Sequence, residues 1–182
     1  MANNSWNQSM GVQPAAGTAL TNSTTATSLL NAAQAKWTIP ANQLVAGLSK
    51  IRIYASGKMS TAASSPGTFT FDVRFGSVIV FNGGASGTLA TSATNLTWDL
   101  KIDLTCLTTG ASTSATMLGT GVLTSAALSA TTPIMLLPTS APAAGTGFDS
   151  TSSQTVDLFG TWSVANASNS ITCQQFEIVY SN

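Results

Sequence analysis

Charge is what this chain has least of. Its 182 residues include six basic and six acidic side chains and no histidine, so 7% of positions are charged and the formal net charge is zero. An ordinary soluble domain is about one quarter charged. The lack of histidine removes the commonest general base, the usual serine triad and most zinc sites. Six acids leave little for a pair of carboxyls flanking a glycosidic bond. Asp72, Asp99, Asp103, Asp157 and Glu177 all fall at outward strand positions by alternation, and only Asp149 lies in a loop. The expectation is a protein that is not an enzyme, with no catalytic residue, metal or cofactor. The few cations are not clustered enough to hold a phosphate backbone, so no nucleic-acid partner is expected. Lys50, Arg52 and Lys58 come closest, and they read as the solvated face of a strand.

Other absences narrow the class further. No window holds eighteen nearly uninterrupted apolar residues, so no membrane partner is expected. The opening Met1-Ala-Asn-Asn-Ser-Trp6 has neither a basic n-region nor an apolar h-region, and the expectation is a chain without a secretory leader. Cys106 and Cys173 are the only cysteines, too few for a disulfide framework. Both fall at inward strand positions and read as small buried core residues. The alternative, a bond between them, needs their Cα atoms within about 7 Å.

What fills the chain is hydroxyl and small side chain: 24 Ser, 28 Thr and 15 Gly, against 43% hydrophobic residues. A surface of hydroxyls at zero net charge favours association. The organisation is an N-terminal arm over residues 1–27 followed by one domain over 28–182. The arm is polar and aperiodic, yet it carries Trp6 and Met10, which suits docking on a neighbour better than floating in solvent. Ser28–Ala35 offers two helical turns at most, and Pro40 fixes the turn that follows.

From there the period is two, the signature of half-buried strands. Ile51, Ile53 and Ala55 alternate with Lys50, Arg52 and Tyr54; Phe69, Phe71, Val73 and Phe75 alternate with Thr70, Asp72 and Arg74. Gly76-Ser77 is a two-residue hairpin signal, and Asn82–Gly87 reads as loop. Leu96, Trp98, Leu100, Ile102, Leu104 and Cys106 face in, opposite Asp99, Lys101 and Asp103. Those two aspartates stand about 13 Å apart along the strand, too far to share a cation. Ala115–Leu128 is a further strand, in which Gly119 and Gly121 mark a bulge or a close backbone approach. Pro133–Pro138 reads as an edge or connecting strand.

The glycine-rich loop 144–150 leads into another strand with no lysine after it. It is therefore no phosphate cradle, and Phe148 anchors it to the body. Val156, Leu158, Gly160, Trp162 and Val164 face in, which leaves Phe159 on the polar face with Asp157. Ile171 and Cys173 are out of phase with Phe176, Ile178 and Tyr180, so a β-bulge is expected at Gln174-Gln175. About eight strands and no long helix predict an all-β antiparallel β-sandwich, a jelly roll with an extended arm, with an immunoglobulin-like order as the alternative.

Three stretches resemble the cement or decoration proteins on the heads of tailed bacteriophages. They are Ser60-Thr-Ala-Ala-Ser-Ser-Pro-Gly-Thr-Phe-Thr-Phe-Asp-Val-Arg-Phe-Gly76, Ala141-Pro-Ala-Ala-Gly-Thr-Gly-Phe-Asp-Ser-Thr151 and Val156-Asp-Leu-Phe159, and the likeness spans roughly residues 25–182. The resemblance implies a virion structural protein on the capsid exterior, assembled in the host cytoplasm. It would be a homotrimer that clamps the major capsid protein, with no catalytic motif. Trp6, Met10, Tyr54, Phe148 and Phe159 are the candidate interface residues. On this reading, removing residues 1–25 weakens attachment and leaves the sandwich folded. A head- or tail-fibre module binding host glycans is the alternative, with Trp6, Tyr54 and Phe159 as its exposed aromatics; another virion part, such as a tail or neck protein, is a third.

Overall fold

The computed structural model describes residues 6–31, 33–128 and 133–182. Its strands are β1 (Asn7–Val12), β2 (Leu20–Thr21), β3 (Thr27–Ser28), β4 (Thr38–Ile39), β5 (Lys50–Ser60), β6 (Phe69–Phe75), β7 (Val78–Ala85), β8 (Leu96–Thr108), β9 (Thr116–Ser125), β10 (Ile134–Leu137), β11 (Gln154–Trp162) and β12 (Ser170–Ser181). Among the described residues the only helical element is one 3-10 turn over Ala33–Ala35.

Two antiparallel sheets form a β-sandwich. The larger has the order β1-β12-β5-β8-β9-β10, with β2 beside β1 on the same edge of β12. The smaller has the order β3-β11-β6-β7, with β4 also on β11. The chain passes from the large sheet (β1, β2) to the small (β3, β4), back to β5, across to β6 and β7, back to β8, across to β11 and home to β12. That path is a jelly roll, and the β9–β10 hairpin extends its large sheet by two strands.

The strand order changes the meaning of residues 1–27. From Trp6 on they do not project as an arm. They supply one jelly-roll strand, and the expected boundary at 27/28 falls inside β3. Between β1 and β2 the chain keeps its ladder on β12, through Gln13 N–H to the Phe176 carbonyl at 2.9 Å and Gly17 N–H to the Cys173 carbonyl at 2.8 Å. The physical reason is the bulge in β12. The register slips between Cys173 and Gln175, and Gly17 lets the chain press close there, since a Cβ would meet the Leu29 carbonyl. Removing residues 1–25 would therefore strip an edge from the sandwich.

The core lies where alternation put it. Ile51, Ile53, Phe69, Phe71, Val73, Phe75, Trp98, Ile102, Leu158, Trp162 and Ile178 are all buried. Edge-to-face and tilted aromatic pairs run from Trp162 through Phe69 and Phe71 to Trp98, with centroids 4.8 to 5.2 Å apart. Such pairs add about 0.5–1.5 kcal/mol each beyond burial. Gly119 is indeed a close approach: a Cβ there would meet the Phe81 ring and Leu104. Cys106 and Cys173 are buried and unbonded, and burial pushes the Cys173 thiol up to about 12.

Several expectations are corrected. Asn82–Ala85 continues β7 instead of looping, because Gly84 takes a left-handed backbone (φ 75°) and the Asn82 side chain accepts its N–H. Val164 is exposed, since β11 stops at Trp162. Asp72 and Asp157 do stand on the outward face of the small sheet, but both are buried. Arg74 Nε donates to Asp72 at 2.6 Å, while Lys36 Nζ at 2.6 Å and Ser28 Oγ at 2.7 Å close over Asp157.

Candidate functional site

The candidate interface residues do not form one site. Phe148 is buried, edge-on to Phe75 at 5.0 Å, and is core and no contact surface. Phe159 is half-buried beneath the Arg74 guanidinium, 4.0 Å from its ring centroid. Met10 packs part-buried against the core at a slip in the β1 register. Trp6 and Tyr54 are the two that remain exposed, and they lie on different surfaces.

Trp6 belongs to an apolar end of the sandwich. Its ring meets Tyr180 edge-on at 5.5 Å. The Tyr180 hydroxyl sits 2.8 Å from Ser49 Oγ and donates to the Gln43 carbonyl at 3.2 Å, tying the 43–49 loop to this corner. Ser49 Oγ accepts the Val45 N–H, and Gly47 N–H donates to the Cys106 carbonyl. Trp6, Val45, Leu48 and Leu107 are thereby gathered at one end, and all four are exposed. The loop leucine and valine were invisible to a search for alternation. Their signal was apolar residues between Pro40 and a strand with no inward position to fill.

Tyr54 belongs to the outer face of the large sheet. The ladders place Val12, Glu177, Tyr54, Lys101, Val122 and Leu136 in a single row across β1, β12, β5, β8, β9 and β10. The next row on this face is Gln175, Ser56, Asp99, Thr124 and Ile134. Between the rows runs an open trough of about 930 Å³, lined from Val12 to Val122. That volume is the size of a small-molecule site. Tyr54 stands near its middle, 38% exposed, with Lys101 Nζ 5.8 Å from the ring centroid. Ser56 Oγ donates to Gln175 Oε1 at 3.3 Å. Neither Asp99 nor Glu177 makes an ion pair among the described residues, while Asp103 takes Arg52 at 3.2 Å and Lys101 at 3.9 Å. At the far edge β10 exposes Ile134 and Leu136, the latter 71%.

Among the described residues no three His, Cys, Asp or Glu side chains gather where they could hold a metal ion. Burial raises both thiols, which leaves them poor nucleophiles. Asp149, whose carboxyl the Thr151 hydroxyl and backbone N–H hold below the usual range, braces its own loop. The arrangement as a whole offers surfaces for contact.

No protein-family model matches the sequence, and no curated protein matches it. Among solved structures the chain is similar to basic winged bean lectin, crystallised with Tn-antigen, at 10% identity over 97% of each chain with a TM-score of 0.37. At that score the likeness carries no argument, and the strand order alone defines the fold.

Proposed function

We propose that this protein is a virion structural protein, a cement or decoration protein that docks on the exterior of a capsid shell and steadies its subunits. The observation that carries the reading is the apolar end formed by Trp6, Val45, Leu48 and Leu107 on a nearly uncharged molecule. Exposed apolar clusters rimmed by polar residues mark protein contact sites. Contacts of apolar area and hydroxyl hydrogen bonds keep their strength in salt, where ion pairs between exposed charges weaken. The resemblance of residues 60–76, 141–151 and 156–159 to phage head proteins points the same way and names the major capsid protein as partner, with a closed homotrimer as the assembly.

The test is to locate the chain on purified particles by cryo-electron microscopy and to titrate it onto undecorated shells. Stoichiometric occupancy that survives molar salt, and that Leu48→Asp with Leu107→Asp abolishes in a folded protein, is the expected result. Absence from the head, or occupancy unchanged by the double substitution, would refute the reading.

A further inference from the structure

We infer that the trough on the outer face of the large sheet is a binding site for a short, neutral oligosaccharide. The inference does not depend on the shell-docking reading, because the trough lies on a sheet face and the apolar cluster at an end of the sandwich.

Four properties of the trough select the ligand. First, it runs across the strands from β1 to β9. Four strand intervals span about 19 Å, the length of roughly four sugar rings. Second, although β1 at one end is the sheet edge, the four strands under the rest of the trough, β12, β5, β8 and β9, are paired on both sides, so their backbone groups are already used. An extended peptide, which binds by adding to a free edge, finds no main-chain partner there. Recognition falls to side chains.

Third, those side chains are an aromatic ring flanked by planar polar groups. Tyr54 supplies an exposed ring face for the C–H surface of a pyranose. Gln175 and Glu177 on one side, and Asp99 on the other, supply acceptors and an amide for paired hydroxyls. Ser56 and Thr124 add hydroxyls at the floor. Fourth, the charge excludes other ligands. Two carboxylates against one lysine disfavour an anion. Asp99 and Glu177 sit on β8 and β12 with β5 between them, about 12 Å apart by strand spacing and rise, too far to chelate a cation together. A neutral, hydroxyl-rich ligand satisfies the acceptors without either cost. A second copy of the same concave face would enclose water in place of contact area.

The test uses the isolated full chain on a glycan array that includes bacterial surface polysaccharides, followed by calorimetric titration of the best tri- to hexasaccharide. Binding by the wild type is expected, with Tyr54→Ala lowering affinity about tenfold or more and Tyr54→Phe retaining most of it. Glu177→Gln and Asp99→Asn should each weaken binding several-fold. Tyr54 is on the surface, so an unchanged melting curve will show that Tyr54→Ala is folded. No binding to any array member overturns the inference. So does saccharide binding that Tyr54→Ala leaves intact, or a change in oligomeric mass on Tyr54→Ala without saccharide binding, which would assign the face to a second copy.

Discussion

Gln13 holds Cys173 by its carbonyl: the Gln13 Nε2 donates to it at 2.8 Å, at the residue where β12 begins its bulge. The same amide accepts the Asn31 N–H through Oε1 at 3.0 Å. One buried side chain thus joins the end of the first strand, the last strand and the segment that follows β3 in the small sheet. Gln13→Ala should cost about 1–2 kcal/mol in chemical denaturation, because it removes two hydrogen bonds and leaves the Asn31 N–H without its acceptor, while the Cys173 carbonyl keeps the Gly17 N–H. Deleting residues 1–25 should do far more, baring the edge of β12 and yielding aggregated protein in size-exclusion chromatography.

The buried ion pair on the small sheet should outweigh its exposed counterpart on the large one. Arg74→Ala strands Asp72 without its cation and uncovers Phe159. A loss of about 2–3 kcal/mol is expected, below the 3–5 typical of fully buried pairs because Arg74 keeps some contact with water. Arg52→Ala, which breaks the exposed pair with Asp103, should change stability by no more than about 0.5 kcal/mol. Equal losses from the two variants would contradict the burial of Asp72.

Gly119→Ala tests how tightly the β9 hairpin lies on the core. The added methyl must displace the Phe81 ring and Leu104. Overpacking of this kind costs about 1–3 kcal/mol, read as a lower midpoint in urea.

The thiols give a pH-dependent signature. With both buried and unbonded, a thiol reagent at pH 8 should find none in the folded protein and two per chain after unfolding. The folded Cys173 thiol is raised to about 12, while an unfolded thiol ionises near about 8.5. Its contribution to stability is therefore full below the unfolded value. It is lost as pH rises from there through the folded value, since only the unfolded state releases the proton. Unfolding titrations between pH 8 and 11 should show that fall, and Cys173→Ala should reduce it, leaving the share of Cys106, whose thiol burial also raises.

Alternation made the core legible. Phe69 to Phe75, Leu96 to Cys106 and the phase slip at Gln174-Gln175 all lie as their side-chain periods require, because a half-buried strand must send every second residue inward. The jelly roll was within reach for the same reason, but the strand count was not: about eight strands are expected and twelve are present among the described residues, the excess falling in the short N-terminal strands. The N-terminal segment was not. Leu20 is buried alone and Leu29 and Leu30 side by side, among Ser, Thr and Asn that leave no period to read. Alternation puts Asp72 and Asp157 on the outward face but is silent on their burial, since the cation over Asp157, Lys36, comes from a distant, irregular stretch. Of the candidate site, Tyr54 was visible as an aromatic at an outward position. Its neighbours across the sheet were not, because which strands lie side by side is a matter of topology.

Asn7 faces Ser181 across the β1–β12 ladder. A linker of a few residues would span that gap, so the backbone can be closed into a ring and reopened at the exposed residues Thr151–Ser153, past the Ala115–Phe148 bridge and before β11. A circularly permuted chain of this design should fold to the same sandwich.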